Sequence, residues 1–190
     1  MSTSETIKVW DPLLRVFHWS LALLFIVAVV TQEDVEWLHV YAGYGISLLV
    51  VFRLFWGLVG GRYARFSEFF YRPSTVKAYL KSLGTRSPTH YVGHNPAGGL
   101  MVMVMLTALL LQCFLGFSVL AIEGEGWFAG TWLASLNEDI VEELHEIIGN
   151  GLILLVAVHL AGVAVSSLLH RENLVRAMIT GKKSAPKSAK

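Results

Sequence analysis

The sequence predicts an all-α integral membrane protein, a four-helix bundle with both termini in the cytoplasm. Three observations carry this prediction. Of the 190 residues, 54% are hydrophobic and 15% are charged, whereas soluble domains carry roughly 25% charged residues. The apolar residues are concentrated in four blocks, each close to the roughly 20 residues that cross a hydrocarbon core. The basic residues are absent from two of the three links between these blocks.

The four predicted spans cover residues 13–30, 38–60, 97–121 and 144–169. They form one transmembrane domain over residues 13–170. An N-terminal cytoplasmic segment over residues 1–12 precedes it, and a basic C-terminal tail over residues 171–190 follows it. No small-x-small cleavage site follows Val30, so we interpret the first block as a span and not as a cleaved signal peptide.

The distribution of charge predicts the topology. All fifteen Lys and Arg lie before or at the start of the first span, within or after the second span, or after the fourth span. The other two links instead carry nine acidic residues: Glu33, Asp34, Glu36, Glu123, Glu125, Glu138, Asp139, Glu142 and Glu143. Because cytoplasmic loops are enriched in Lys and Arg, we predict that both termini and the middle link are cytoplasmic.

Local patterns predict the structure of the middle link and of the chain end. An amphipathic helix along the inner membrane surface is predicted after Pro73, ended by Gly84, with apolar positions at Val76, Tyr79, Leu80 and Leu83. Asn95 and Pro96 are typical of an N-cap and of the first position of a helix. Residues 181–190 are basic and rich in Ser, Pro and Ala, which predicts a disordered end.

Four of the seven histidines lie within or at the ends of spans: His18, His39, His145 and His159. Ionisable side chains are costly in a membrane and mark functional sites there. His145 and His159 are fourteen residues apart. On a helix, this spacing separates them by about 21 Å along the axis and rotates one relative to the other by about 40°, so both lie on nearly the same face. Antiparallel packing brings His18 to the depth of His159 and His39 to the depth of His145. The sequence therefore predicts one His–His pair near each membrane surface.

Two imidazoles on facing helices can bind a metal ion or a haem. A structural zinc site takes four protein ligands, and each pair offers two. Cys113 is the only cysteine and lies mid-span, which excludes thiolate clusters and covalently attached haem. A porphyrin supplies four nitrogens and leaves two axial positions, so the pairs predict two b-type haems, each with bis-His ligation. Interhelical hydrogen bonding is the alternative.

A repeated glycine pattern accompanies two of these histidines. His39 and His145 each begin the pattern His-x-x-x-Gly-x-Gly. Gly43 and Gly149 lie one turn after their histidines on the same helix face, so each gives a macrocycle room to approach the backbone. Close helix packing through small residues is the alternative.

Arg53 is the one cation that lies well inside a span, since Arg15 is at the start of the first. Arg53 follows His39 by fourteen residues, which places it near the depth of the inner histidine pair. A propionate of the inner haem is the predicted partner, and snorkelling to the membrane surface is the alternative. A quinone site near Arg53, His94 and the basic residues of the middle link is a further hypothesis.

Two segments resemble a known family. The stretch WDPLLRVFHW at residues 10–19 is similar to the opening signature of bacterial cytochrome b561 and of the b-type cytochrome subunits of nickel–iron hydrogenases, and GHNPAGG at residues 93–99 is similar to the start of their third span. The resemblance implies a four-helix bundle in the bacterial inner membrane with two b haems. Its axial ligands fall on His18 with His159, and on His39 with His145. Hydrogenase-type members usually carry an additional span, whereas four are predicted here.

The resemblance implies that electrons pass between the quinone pool and a periplasmic redox partner of a respiratory chain. The acidic outer links predict a partner with a basic docking face, for which a c-type cytochrome is the leading hypothesis. A quinone-reducing superoxide oxidase of the same family is an alternative, although an anion is repelled by an acidic face. A cofactor-free membrane anchor subunit is a second alternative. Whether the chain is an enzyme in its own right is left open.

Overall fold

The computed structural model describes residues 6–84 and 89–184 and confirms the all-α membrane fold. Four of its helices are long and apolar enough to cross a membrane. The helices are α1 (Pro12–Thr31), α2 (Glu36–Val59), α3 (Pro73–Ser82), α4 (Pro96–Ile122), α5 (Glu138–His170) and α6 (Leu174–Thr180). Arg86, Lys187 and Lys190, which contribute to the predicted basic link and tail, lie outside the described residues.

The long helices expose large apolar side chains, as helices surrounded by lipid do. Leucines on three of them are between 63% and 79% exposed: Leu23, Leu48, Leu58, Leu154 and Leu168. In water this surface would favour aggregation. In a bilayer it contacts the acyl chains, while the backbone hydrogen bonds are satisfied within each helix.

Side-chain caps set the beginnings of the long helices. At α1, the Leu14 N–H donates to the Asp11 carboxylate at 2.9 Å. At α4, the Gly98 N–H donates to the Asn95 side chain at 2.8 Å, which confirms the predicted cap. Helix α5 begins at Glu138, before the predicted span starts, because the Ile140 N–H donates to the Asn137 side chain at 3.0 Å. These contacts satisfy N–H groups that have no partner inside the helix.

The middle link contains the predicted amphipathic helix. Helix α3 covers Pro73–Ser82 and buries Val76 and Tyr79, which confirms two of the four predicted apolar positions. Leu80 is 52% exposed, and Leu83 follows the last helical residue. Two short 3₁₀ turns, Arg62–Ala64 and Phe66–Glu68, precede it.

The chain end is more ordered than predicted. Residues Lys182–Ser184 form a strand, β2, that pairs antiparallel with a strand β1 over Thr6–Lys8. Gly181 ends α6 in the left-handed conformation, with φ 78°, and its carbonyl accepts the Val9 N–H at 2.8 Å. The expectation of disorder is therefore wrong for residues 181–184, because a distant segment of the chain satisfies their backbone groups.

The chain divides into two compact units, each built from segments of several helices. The first unit comprises Met1–Ser20, Phe52–Met103 and Val158–Lys190. Its buried side chains come from the start of α1, the middle link and α6, and include Trp10, Phe17, Phe69, Tyr79 and Ala177.

The second unit comprises Leu21–Val51 and Val104–Ala157. Its core is formed by Ile46 and Val50 of α2, Leu109 of α4 and Leu152 of α5. Val50 and Leu152 are each 1% exposed. Partly buried side chains of α1, including Leu21, Leu24 and Phe25, pack against this cluster.

Candidate functional site

The first unit brings together His18 of α1 and His159 of α5. Their ring centroids are 6.4 Å apart and their ring planes are inclined by 52°. Both side chains are partly buried. Nδ1 of His18 is shielded from solvent and has no hydrogen-bond partner among the described residues.

The second unit brings together His39 of α2 and His145 of α5. Their ring centroids are 6.2 Å apart and their planes are inclined by 77°. His39 Nδ1 lies 2.8 Å from the Ala28 carbonyl oxygen of α1, to which it can only donate. The Nε2 atom of His39 is then the unprotonated nitrogen that can bind a metal. Metal-binding histidines commonly use their second nitrogen in this way.

The separation of the rings in both pairs fits one metal ion between them. An imidazole nitrogen lies ~2.0 Å from a bound transition metal and ~1.1 Å from its own ring centroid, so two imidazoles on opposite sides of one metal have centroids ~6.3 Å apart. Direct hydrogen bonding between the rings would bring the two nitrogens to about 2.9 Å, and no such bond is present in either pair among the described residues.

A metal held by protein ligands alone is not supported. Within residues 6–84 and 89–184, no group of three or more His, Cys, Asp or Glu could hold a metal ion. A haem needs only two protein ligands, because the porphyrin supplies the rest of the coordination sphere. The donor sets found here therefore fit a haem better than a free metal ion.

Gln112 of α4 is a neighbour of the second pair that sequence reasoning missed. Its Nε2 lies 3.1 Å from His145 Nε2, so the amide occupies a nitrogen that a metal would otherwise take. Its Oε1 is buried and has no partner among the described residues, like Nδ1 of His145. An amide inside an apolar span is itself a signal, but the helix periodicity of α4 alone does not show which histidine it faces.

The glycines near the second pair differ in what surrounds them. A Cβ built on Gly43 would meet no atom of the described chain within 4 Å, and the same holds for Gly151 and Gly162. A Cβ on Gly149 would lie 3.2 Å from Gln112 Nε2. At Gly43 the alternative of close helix packing is therefore not supported, and the side of the helix next to His39 is open.

Arg53 lies in the first unit and is only 2% exposed, so it does not snorkel to solvent. Its Nη2 donates to the Ala64 carbonyl at 3.0 Å, and its guanidinium carbon lies 4.7 Å from the centre of the Phe66 ring. Its Nη1 is buried without a partner among the described residues. A buried cation with an unused donor is suited to bind a carboxylate.

His94 lies just before α4, between the rings of Trp10 and Phe69, with centroids 4.7 Å and 4.6 Å away. Its Nδ1 is buried and has no partner among the described residues. Burial, followed by the charge of Arg53, lowers the pKa of His94 to about 3. The ring is therefore neutral at physiological pH.

The fold and the paired histidines define a class: a membrane protein of four apolar helices that holds imidazoles in facing pairs at the spacing of axial haem ligands. Comparison with protein families agrees with this class. Residues 9–181 match the family described as prokaryotic cytochrome b561. The chain belongs to the prokaryotic cytochrome b561 family, whose members are b-type cytochromes of bacterial membranes that take part in electron transfer.

Several relatives of this chain carry the name Probable Ni/Fe-hydrogenase B-type cytochrome subunit. The protein from Rhizobium leguminosarum bv. viciae is 23% identical over 217 residues, which cover 94% of this chain and 89% of the relative. The protein from Azotobacter chroococcum mcd 1 is 24% identical over 213 residues, covering 92% and 87%. The protein from Cupriavidus necator is 24% identical over 225 residues, covering 95% and 89%. No solved structure matches the chain significantly.

Proposed function

We propose that the protein is a dihaem b-type cytochrome that passes electrons across the bacterial inner membrane, between the quinone pool and a periplasmic redox partner. One observation carries the proposal. The two histidine pairs have ring centroids 6.4 Å and 6.2 Å apart, close to the ~6.3 Å expected when two imidazoles bind one metal from opposite sides.

The chain's own residues take distinct parts in each site. His18 and His159 would hold the haem iron in the first unit, and His39 and His145 would hold it in the second. The Ala28 carbonyl fixes the ring of His39, which keeps Nε2 directed away from α1 and available as a ligand. Haem iron with two imidazole ligands supplies one-electron chemistry and leaves no position for oxygen or substrate.

Arg53, Gly43 and Gly149 support these ligands. Arg53 is proposed to bind a propionate through its unused Nη1, because a buried guanidinium is stabilised by a carboxylate partner. Gly43 leaves the space beside His39 open. In this structure, the Gln112 amide occupies the space next to Gly149. A haem would use the same space if the amide turned away from His145.

The orientation proposed for the protein places both termini in the cytoplasm. The sequence ranges of the first unit contain all fifteen Lys and Arg, and those of the second unit contain none. Because basic segments are retained in the cytoplasm, the links at Thr31–Glu36 and Ile122–Glu138 are periplasmic. A C-terminal fluorescent-protein fusion should therefore fluoresce in cells, and alkaline phosphatase inserted at Gly130 should be active.

The leading partner is a c-type cytochrome with a basic docking face, because the second unit carries exposed carboxylates and no basic residue. A nickel–iron hydrogenase is the second candidate, favoured by the names of the relatives. We propose that quinone exchange takes place in the first unit, because this unit contains the basic middle link together with Arg53 and His94.

Haem content and electron transfer across a membrane test the proposal together. Purified protein should contain two haems per chain by the pyridine haemochrome assay, with a Soret band that shifts on reduction by dithionite. In vesicles loaded with ferricyanide, external quinol should reduce the trapped oxidant only when the protein is present. A correctly folded but colourless preparation would support the cofactor-free anchor and contradict the proposal.

A further inference from the structure

Three aromatic side chains are exposed in the segment that joins α4 to α5. Trp127 is 82% exposed, Trp132 67% and Phe128 39%. We call these three residues the aromatic patch. Exposed clusters of aromatic rings mark binding surfaces, because covering them with a partner is favourable.

The backbone holds the aromatic patch in a defined conformation. Helix α4 ends at Ile122. Two residues later Gly124 has φ 80°, and the Glu125 N–H donates to the Leu120 carbonyl at 2.7 Å, the pattern of a Schellman motif. Gly126 has φ 71°, and a Cβ there would lie only 2.9 Å from the Tyr44 hydroxyl. The segment is therefore packed closely on Tyr44 of α2, and it presents the ring of Trp127 without a large further ordering cost.

Ring contacts connect Trp127 and Phe128 of the aromatic patch to Phe117 of α4. Trp127 lies 4.8 Å from Tyr44, and Tyr44 lies 5.4 Å from Phe117, measured between ring centroids. Phe117 also contacts Phe128 at 5.4 Å. Gly116, which precedes Phe117 on α4, packs on the ring of His145. A Cβ built on Gly116 would lie 3.1 Å from Cε1 of His145. A partner covering the patch would thus lie close to the proposed haem ligands.

Carboxylates flank the aromatic patch in the sequence. The nine acidic residues of the two acidic links are all exposed; we call them the acidic rim: Glu33, Asp34, Glu36, Glu123, Glu125, Glu138, Asp139, Glu142 and Glu143. The pKa of Glu123 is raised by partial burial and then by the charges of Glu36, Glu125, Glu142 and Glu138. Residues of both links therefore contribute to one negative field.

We propose that the aromatic patch is the docking surface for a soluble redox protein that exposes an apolar cofactor edge ringed by lysines, with Trp127 as the central contact. The inference rests on the proposed function. An aromatic centre within a charged rim is the usual arrangement of a protein interface, and opposite charges on the two partners raise the rate of encounter. An anionic lipid surface is disfavoured because the acidic rim repels it.

A strongly basic c-type cytochrome is a suitable probe. Haem-loaded protein in nanodiscs is mixed with the reduced cytochrome in a stopped-flow instrument, and the second-order rate of electron exchange is followed by absorbance. We expect Trp127→Ala to lower this rate ~10-fold, as for a central interface residue. Trp37→Ala is the matched control, since Trp37 is 64% exposed in the same unit but contacts only Tyr41 among the described aromatic rings. Its rate should stay within about twofold.

Changes of ionic strength and neutralising substitutions test whether the acidic rim attracts the partner. The wild-type rate should fall steeply as ionic strength rises, and Glu123→Gln with Glu125→Gln should weaken that dependence. Equal rates for Trp127→Ala and wild type, or a rate independent of salt, would overturn the docking proposal. Binding of the patch to anionic vesicles in place of the cytochrome would also overturn it. Haem content and reduction by dithionite report on the proposed function separately, because they do not involve the patch.

Discussion

At the scale of single residues, Gly43 and Gly151 form a matched pair of helical glycines. Apart from adjacent residues and the backbone of its own helix, neither has an atom of the described chain within 4 Å of its Cβ position. Gly43 lies four residues after His39 and so on the same face, whereas Gly151 lies six residues after His145 and about 120° away from it.

We therefore expect Gly43→Leu to remove most of the haem bound in the second unit, because the new side chain fills the space beside His39. Gly151→Leu should keep both haems, since its side chain points to another face of α5. The pyridine haemochrome assay measures the difference, and thermal unfolding checks that both variants fold. Equal haem contents would show that the glycine next to His39 does not make room for a porphyrin.

Arg53 provides a second test at this scale, because its positive charge favours the reduced haem. A unit charge at about 10 Å in a medium with an effective dielectric constant of about 20 interacts by about 1.7 kcal/mol, which for a one-electron couple is roughly 70 mV. Arg53→Met should lower the midpoint potential of the first-unit haem by tens of millivolts.

The control for Arg53 is Arg62→Met. The Arg62 side chain is 71% exposed, so solvent screens its charge and the potential should hardly change. Redox titration of the absorbance spectrum gives both values. If Arg53→Met leaves the potential of both haems unchanged, Arg53 does not lie close to a haem.

At the scale of elements, the sequence contained the information for every span and for α3. The spans follow from the length and apolar content of four blocks, α3 follows from its apolar spacing, and local caps such as Asn95 with Gly98 set where helices begin. Strands β1 and β2 were not predicted, because each has three residues and the pairing joins Thr6 to Ser184. A contact between opposite ends of the chain leaves no local signal in either segment.

Gly181 holds that pair of strands in place. It has φ 78°, and a Cβ would lie 2.6 Å from the Trp10 carbonyl oxygen. Gly181→Ala should therefore destabilise the terminal strands by about 1–2 kcal/mol. Hydrogen exchange of the β1 amides should become faster while that of α5 stays unchanged.

Gly84→Ala is the matched control for Gly181. Its Cβ position lies 3.6 Å from the Lys81 carbonyl oxygen, an ordinary contact, so exchange in β1 should not change. If Gly181→Ala also leaves the exchange of β1 unchanged, the left-handed turn does not hold the strands.

At the scale of the whole molecule, the histidine pairs could be predicted but their surroundings could not. The positions of His18, His39, His145 and His159 follow from the rise of a helix and from antiparallel topology. The contact of Gln112 with His145 and that of Arg53 with Ala64 depend on how α4 and the middle link pack. Such packing is decided by side chains far apart in the sequence.

The central claim is that each haem is held by one specified pair of histidines. The most direct test measures haem per chain, and the potential of the remaining haem, in the four single variants His18→Ala, His159→Ala, His39→Ala and His145→Ala. His170→Ala is the control, because it lies on α5 and contacts His90 but belongs to neither pair.

We expect two haems in the control and one in each of the four variants. His18→Ala and His159→Ala should lose the same redox component, and His39→Ala and His145→Ala should lose the other. If His18→Ala and His145→Ala lost the same component, or if folded His159→Ala kept both haems, the proposed pairing would be contradicted.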